Sequence, residues 1–165
     1  MKKAILLFAF AALSLQNINA TKRIYTKTDS IRAEKIMKQA ASQPAGTNTI
    51  VYIGRQLLGV PYVAQTLEKG KTENLVINTM QLDCTTFVEN VLAMYLCVQN
   101  KTTRFADFCS NIQKIRYVGG KVSYPSRLHY FSTWIEDNTK KGIVQEQQAP
   151  NPPFTAKQTI MANFM

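Results

Sequence analysis

Residues 82–98, "LDCTTFVENVLAMYLCV", decide the fold. Asp83 is a typical helix N-cap residue, and the residues after it are apolar at helical spacing. The sequence therefore predicts a helix that begins at Cys84 and ends near "QNKTT" at 99–103. Its inner face is expected to follow the apolar row Phe87, Val88, Val91, Tyr95 and Val98. We expect this helix to be the most buried element, with three further helices around it.

The position of Cys84 in the first turn of this helix admits two interpretations. Unpaired amides and the positive end of the helix dipole favour a thiolate there, which is typical of a nucleophile. The alternative is a small buried apolar residue, the common environment of a free cysteine. The apolar row predicts that the thiol points toward the element on which the helix packs, at the boundary between core and cleft. Both interpretations stay open on position alone.

The other two cysteines are predicted to be structural. Cys97 lies 13 residues after Cys84, a rotation of about 220° around a helix, so it faces elsewhere. Cys109 lies in an apolar helical row. Three cysteines leave at least one thiol unpaired within the chain, and the others are expected to be bridged or buried. No Cys-x-x-Cys or Cys/His ligand spacing occurs, so neither a zinc site nor any other metal or cofactor is expected.

The first twenty residues have the composition of a secretory signal: "MKK", the apolar run "AILLFAFAALSL", then "QNINA". Cleavage after Ala20 would leave an exported, soluble periplasmic or cell-envelope chain of residues 21–165; an uncleaved N-terminal anchor is the alternative. That chain would carry 18 basic and 10 acidic residues, a net charge of +8. Such a charge suits an anionic surface or polymer. Nucleic acid is not an expected partner, because the lysines are scattered.

The remaining pattern predicts a helix-rich α+β domain. After an extended or flexible lead-in at 21–28, helices are predicted at 29–42 (capped by Asp29 or Ser30), 49–59, 104–115 and 127–141, the last capped by Ser126. "ENLVINTM" at 73–80 is β-prone, and Gly119-Gly120 predicts a turn. The last stretch is apolar at Ile160, Met161, Phe164 and Met165. We therefore expect residues 21–165 to be the N-terminal part of one domain, truncated at its C-terminus.

His129 is the only histidine and thus the only candidate base of the usual kind for a thiol nucleophile. Its predicted place inside a helix leaves three roles open: a binding residue, a histidine packed between helices, or the base. The surrounding "YPSRLHYFSTW" at 124–134 combines aromatic side chains with Arg127, which could bind a carboxylate through two hydrogen bonds. The alternative is an amphipathic helix that buries its aromatic residues.

Three blocks together resemble a known family: "IGRQLLGVPYVAQTLE" (53–68), "LVINTMQLDCTTFVENVLA" (75–93) and "YPSRLHYFSTWIEDN" (124–138). They are similar to N-acetylmuramoyl-L-alanine amidase-like proteins among the NlpC-type, papain-like cell-wall cysteine hydrolases. The resemblance covers roughly residues 50–140. It implies an α+β papain-like fold of which the helical N-terminal half is present and most of the antiparallel sheet is missing.

The same resemblance implies a function and a set of site residues. Cys84 corresponds to the catalytic nucleophile, and the candidate substrate-binding residues are Tyr62, Asp83, Arg127, His129 and Tyr130. The catalytic histidine of such proteins lies on a later strand, expected beyond residue 165, so His129 is not implied to be the base. The implied activity is hydrolysis of the bond between N-acetylmuramic acid and L-alanine in peptidoglycan or muropeptides. The alternatives are a stem-peptide endopeptidase of the same fold, or a non-catalytic remnant or wall-binding module.

Overall fold

The computed structural model describes residues 21–145. Its elements, in chain order, are β1 (Arg23–Ile24), α1 (Lys27–Ala41), α2 (Thr49–Gln56), β2 (Leu75–Val76), α3 (Cys84–Gln99), α4 (Phe105–Arg116) and α5 (Phe131–Lys140). Two 3₁₀ turns, Val118–Gly120 and Tyr124–Ser126, lie between α4 and α5. The predicted signal at 1–20 and the apolar final stretch at 160–165 lie outside the described residues.

Helix α3 begins and ends where the sequence predicts. Asp83 caps it by a reciprocal arrangement: its carboxylate accepts from the Thr86 amide at 2.7 Å, and the Thr86 hydroxyl accepts from the Asp83 amide at 2.9 Å. Such a capping box satisfies amides that have no partner within the helix. Helices α1, α2 and α4 all pack against α3. The prediction of a central helix is confirmed.

The side of α3 that faces the core differs from the predicted apolar row. Val91 is buried, but Phe87, Val88, Tyr95 and Val98 are only half-buried. The fully buried positions are instead Thr86, Glu89, Asn90, Val91, Ala93, Met94 and Cys97. Because α3 is apolar around most of its circumference, spacing alone does not select the face on which α1 and α4 pack. The predicted inward direction of Cys84 is wrong for the same reason, since its side chain is exposed.

Helix α1 starts at a cap that differs from the predicted one. Thr26 is the N-cap, and Asp29 occupies the third helical position, where its carboxylate accepts from the Thr26 amide at 2.9 Å. The other carboxylate oxygen of Asp29 accepts from the amide and hydroxyl of Thr79 at 2.7 and 3.0 Å. Asp29 therefore fastens the start of α1 to the segment just before α3.

The sheet is small and parallel. Arg23 pairs with Leu75 and Ile24 with Val76, so part of the predicted lead-in is a strand and the β-prone segment 73–80 contains its partner. Within residues 21–145 these two strands form the only sheet. The α+β class with dominant helices is confirmed at this level. The papain-like fold, with most of its antiparallel sheet missing from this chain, stays a prediction.

Helix α5 starts later than predicted. Ser126 does not cap it; Tyr124–Ser126 form a 3₁₀ turn, and Arg127 continues in an extended conformation to bridge Tyr117. The Leu128 amide then donates to the Arg116 carbonyl at 3.0 Å. This pairing with the end of α4 draws residues 127–130 out of the predicted helix. His129 consequently lies in a connection.

A buried ion pair joins α3, α4 and β2. Arg116 contacts the Glu89 carboxylate at 2.7 and 2.8 Å and donates to the Val76 carbonyl at 2.6 Å. Burial opposes the charge on Arg116, but Glu89 outweighs it and the pKa of the guanidinium is raised. Both residues of this ion pair line a polar cavity at the protein surface.

Candidate active site

Cys84 is the first residue of α3, and its thiol is exposed at the protein surface. Leu82 before it is buried, and so is Thr86 in the first turn. The Thr86 amide is bound by the Asp83 carboxylate, and the Phe87 amide donates to the Asp83 carbonyl at 2.9 Å. The capping contacts therefore hold the start of the helix rigidly while Cys84 itself faces outward.

The thiol opens into an apolar depression of about 440 Å³, called here the thiol groove. The groove lies between α3 and the end of α2 with the loop that follows it. Its lining residues are Leu57, Leu58, Gly59, Val60, Tyr62, Leu82, Asp83, Cys84, Phe87 and Val88. Among the lining residues that the structure describes, Asp83 is the one charged member, so the groove offers a ligand mainly apolar contacts beside a single sulfur.

The other two thiols are enclosed by the core, as predicted. Cys97 and Cys109 are both fully buried, and all three cysteines are free thiols, so the buried pair is not bridged. Burial raises the pKa of Cys97 to about 11, against a hydrogen bond from the Asn111 side chain at 3.2 Å that favours the thiolate. Burial likewise raises the pKa of Cys109 to about 11. Both thiols therefore stay protonated and inaccessible at neutral pH.

A second, polar cavity of about 170 Å³, called here the polar pocket, shares Asp83 with the thiol groove. Two arginines, three acids and the sole histidine contribute to its wall. The lining residues are Gln65, Leu67, Glu68, Asp83, Thr85, Thr86, Glu89, Arg116, Arg127, Leu128 and His129. Because Asp83 lines both cavities, they are adjacent, and a ligand that lies across Asp83 can enter both.

His129 belongs to the polar pocket and does not line the thiol groove. Its Nε2 lies 2.9 Å from the Tyr124 carbonyl oxygen, and its ring centroid lies 4.4 Å from that of Tyr124. A carbonyl can only accept a hydrogen bond, so this contact requires a proton on Nε2. This arrangement orients the imidazole at the pocket wall.

Arg127 is almost completely buried although it carries a charge. Its side chain is 6% exposed, and its Nη2 lies 2.5 Å from the Glu68 carboxylate. Its Nη1 lies 3.5 Å from the Glu73 carboxylate, and its guanidinium carbon lies 5.2 Å from the centroid of the Tyr124 ring. The Tyr117 hydroxyl donates to the same Glu73 oxygen at 2.6 Å.

The structure brings most of the predicted site residues together. Asp83, Arg127 and His129 share the polar pocket, and Tyr62 lies with Cys84 in the thiol groove. Tyr130 is strongly exposed and lines neither cavity. Sequence reasoning missed the residues Glu68, Glu73, Thr85, Glu89 and Arg116. Glu68 is separated from Arg127 by 59 residues, so no local pattern could have paired them.

Metal-ligating side chains do not converge in the part of the chain that the structure describes. No group of three or more His, Cys, Asp or Glu side chains among residues 21–145 could hold a metal ion. Among the helices of the same residues, none is both long enough and apolar enough to cross a membrane.

Comparison with known proteins identifies one matching family model. Residues 52–160 match the AmiA-like family, described as N-acetylmuramoyl-L-alanine amidase-like. The match includes α3, both cavities and all six predicted site residues. No curated protein matches the chain.

Several solved structures are similar to the chain, among them an amidase and a candidate xylanase. An N-acetylmuramoyl-L-alanine amidase from Bacteroides uniformis ATCC 8492 is 41% identical with a TM-score of 0.51, over 67% of this chain and 41% of its own. A candidate xylanase from Bacteroides fragilis is 48% identical with a TM-score of 0.51, over 55% of this chain and 39% of its own. The matched part of the chain thus spans about two fifths of the length of each of these proteins.

Proposed function

Since the chain belongs to the AmiA-like family of N-acetylmuramoyl-L-alanine amidase-like proteins, we propose that it is a peptidoglycan hydrolase with Cys84 as its nucleophile. The proposed reaction is cleavage of the amide bond between N-acetylmuramic acid and L-alanine. The proposed complete domain is of the NlpC-type, papain-like class, in which α3 presents the nucleophile. The helical part of such a domain corresponds to residues 21–145.

The observation that carries the proposal is the contrast among the three thiols. Cys84 is exposed at the first position of a capped helix and opens into the thiol groove. Cys97 and Cys109 are buried, with pKa values raised to about 11. A thiolate at the start of a helix is stabilised by the helix dipole, and it is the thiolate that attacks carbonyl carbon. Cys84 alone has both the access and the position for this chemistry.

The proposed reaction has two steps. The Cys84 sulfur attacks the amide carbonyl carbon, the C–N bond breaks, and the departing L-alanine nitrogen takes up a proton. The product of this step is a thioester between Cys84 and the lactyl group of muramic acid. Water then adds to the thioester carbonyl and the C–S bond breaks, which releases a carboxylate and restores the thiol.

The two cavities suggest how the substrate lies. The uncharged part near the scissile bond would occupy the thiol groove, where Tyr62 and Phe87 supply contact surface. The charged part of the peptide would occupy the polar pocket, beside Asp83, Arg127 and His129. Tyr130 would act only on a longer substrate, because it lies outside both cavities.

Cleavage also needs an acid–base group, and we propose that His129 is not that group. Its Nε2 is directed to the Tyr124 carbonyl, and it lines the polar pocket and not the groove that holds the thiol. The base of a complete enzyme is therefore proposed to lie outside residues 21–145. This agrees with the match to only about two fifths of each solved structure.

A glycosidase is the competing reaction class, because one similar structure is described as a candidate xylanase. Canonical glycosidases use two carboxyl groups about 5 to 9.5 Å apart, on either side of a sugar ring. In the polar pocket Glu89 and Glu68 are each paired with an arginine, and a cavity of about 170 Å³ is small for a sugar. These pairings and the small volume count against a glycosidase site in the polar pocket.

Two competing functions lie within cell-wall biology. A stem-peptide endopeptidase would use the same nucleophile on a different amide bond. A wall-binding remnant would use the cavities without reaction at Cys84. Location at the cell envelope after removal of residues 1–20 belongs to the same proposal, and the composition of that segment supports it.

The test measures covalent capture and bond choice together. The chain is incubated with purified peptidoglycan, and the products and the protein are analysed by mass spectrometry. Amidase action yields peptides that begin with a free L-alanine amine, whereas endopeptidase action leaves L-alanine attached to muramic acid. We expect slow peptide release over a long incubation and a thioester adduct on Cys84, both lost in Cys84→Ala and retained in the matched control Cys109→Ala. Release that survives Cys84→Ala would refute the assignment.

A further inference from the structure

The ion pair between Arg127 and Glu68 joins two very differently exposed side chains. The Arg127 side chain is 6% exposed, whereas the Glu68 side chain is 54% exposed, and their closest atoms lie 2.5 Å apart. Glu68 belongs to the long connection between α2 and β2. A half-hydrated carboxylate therefore reaches into the polar pocket and contacts a guanidinium that is fixed in its wall.

Arg127 retains a donor that no protein group satisfies. Its Nη1 is buried and, within residues 21–145, makes no hydrogen bond. The nearest carboxylate oxygen, on Glu73, lies 3.5 Å away and already accepts from the Tyr117 hydroxyl at 2.6 Å. Buried polar groups are nearly always hydrogen-bonded, and Arg127 lines the polar pocket, so its guanidinium keeps one donor whose nearest carboxylate, on Glu73, is only at ion-pair distance.

We propose that the polar pocket is a subsite for a carboxylate arm of the substrate, with Arg127 as its anchor and Glu68 as an internal competitor. Glu68 occupies Arg127 in the free protein, and the substrate carboxylate displaces it and binds the guanidinium through two hydrogen bonds. That the carboxylate belongs to a muropeptide rests on the proposed function. That the polar pocket binds a carboxylate does not depend on the proposed function.

The size and place of the pocket fit an arm and not a whole ligand. Ligand sites usually enclose about 300 to 1,000 Å³, and the polar pocket encloses about 170 Å³. It shares Asp83 with the thiol groove, so the two cavities are adjacent. A peptide held by its carboxylate at Arg127 would cross Asp83 and place a neighbouring amide over Cys84.

Glu68 is the member of the cluster that can leave most easily. Its carboxylate is half in water, and exposed ion pairs contribute little net stability. Glu73, by contrast, is 10% exposed and is held by Tyr117, so it keeps Arg127 in position when Glu68 moves away. The pocket can thus exchange one carboxylate for another without rearranging its wall.

The test is a calorimetric binding comparison with the full 165-residue chain carrying Cys84→Ala, which prevents turnover. The first probe is N-acetylmuramoyl-L-alanyl-D-glutamate, and the second is the same compound with both glutamate carboxyls converted to carboxamides. We expect the carboxylate probe to bind about tenfold more tightly, the worth of a charge-assisted hydrogen bond. Arg127→Gln should abolish this preference, and Arg127→Lys should keep only part of it.

Glu68→Gln is the decisive variant, because it changes an exposed side chain and leaves the buried wall intact. It should tighten binding of the carboxylate probe by roughly threefold, since an exposed ion pair no longer competes. The matched control is Glu136→Gln, which removes the same charge from an exposed glutamate on α5 that pairs with Lys140. It should leave the affinity unchanged.

Equal affinity for the two probes, or equal effects of Glu68→Gln and Glu136→Gln, would overturn the proposal. Thermal unfolding of all variants shows whether Arg127→Gln still folds. If Arg127→Gln does not fold, the comparison of Glu68→Gln with Glu136→Gln tests the proposal. Failure of the proposed function is a separate result. Peptide release that is independent of Cys84, together with an intact carboxylate preference, would refute the nucleophile and support the subsite.

Discussion

Replacing Glu89 by glutamine should destabilise the protein far more than replacing any exposed glutamate. Glu89 and Arg116 are 2% and 3% exposed, and their closest atoms lie 2.7 Å apart. Glutamine has nearly the same shape as glutamate, so Glu89→Gln removes the charge without creating a cavity. It leaves the Arg116 guanidinium buried, still bound to the Val76 carbonyl but without a counter-charge.

The expected magnitude follows from the desolvated charge. Breaking a buried ion pair by removing one partner costs about 3 to 5 kcal/mol, and glutamine can still accept one hydrogen bond, so we take about 3 kcal/mol. For roughly 125 folded residues, an unfolding entropy of about 2.1 cal/mol/K per residue gives roughly 0.26 kcal/mol/K. The midpoint of thermal unfolding should therefore fall by roughly 11 °C.

Two controls separate charge burial from other effects, both measured by circular dichroism during heating. Glu136→Gln removes the same charge from an exposed pair with Lys140 and should move the midpoint by about 2 °C at most. The double variant Glu89→Leu/Arg116→Met removes both buried charges and should recover most of the loss, apart from the unpaired Val76 carbonyl. A Glu89→Gln midpoint equal to that of Glu136→Gln would refute the role given to the ion pair.

Three further predictions concern the thiols, the start of α1 and catalysis. Iodoacetamide at pH 7 should label Cys84 first, and labelling of Cys97 and Cys109 should require urea, because both are buried with pKa values near 11; peptide mapping that finds either buried thiol labelled first would contradict this. Burial raises the pKa of Asp29, but hydrogen bonds from Thr26 and Thr79 outweigh it and the pKa is lowered from 3.8. This carboxylate therefore stabilises the fold above pH 3.8, and the stabilisation is lost as the pH falls through the pKa of Asp29 in the folded protein. In urea unfolding, Asp29→Asn should lower the free energy of unfolding strongly at pH 7 and only slightly in acid. An equal decrease at both pH values would be inconsistent with this linkage. The 165-residue chain alone should release wall peptides slowly, because a positioned acid–base group contributes about 10²- to 10⁴-fold in rate and His129 lies outside the thiol groove. If release is rapid and His129→Ala abolishes it, His129 is the base.

The elements that local sequence determines were predicted well. The cap at Asp83 and the helical spacing after it are contained in residues 82–98, and α3 begins and ends as expected. The exposure of the Cys84 side chain could not be predicted from local sequence. Half-buried Val88, Leu92 and Leu96 make the other side of α3 apolar too, so the packing faces are selected by α1, α2 and α4 and not by the spacing.

The start of α5 and the polar pocket depend on contacts between distant residues. Residues 127–141 have a good helical pattern, yet Arg127 bridges Tyr117 and delays the helix to Phe131. The same bridge brings Arg127 to Glu68 and Glu73, which lie far earlier in the chain. Propensity describes neighbours along the chain, and here tertiary pairing overrides it.

The geometry around Asp83 links substrate orientation to the choice of bond. Asp83 lines both the apolar groove that holds the thiol and the polar pocket, whose buried cations are Arg116 and Arg127. If a substrate carries carboxylates on only one side of the scissile amide, it can occupy both cavities in one orientation only, with its carboxylates in the polar pocket. The reversed direction would bury a carboxylate against Leu57 and Leu82 without a partner, at a cost of several kcal/mol. The muramyl–alanine bond has this asymmetry, because the glycan side is uncharged at the lactyl amide and the peptide side carries the carboxylates. An amide that follows D-glutamate in the stem peptide has carboxylates on both sides, so the proposed placement in the two cavities disfavours cleavage there. The amide between L-alanine and D-glutamate has carboxylates on one side only, as the muramyl–alanine bond does, so this placement does not distinguish these two bonds.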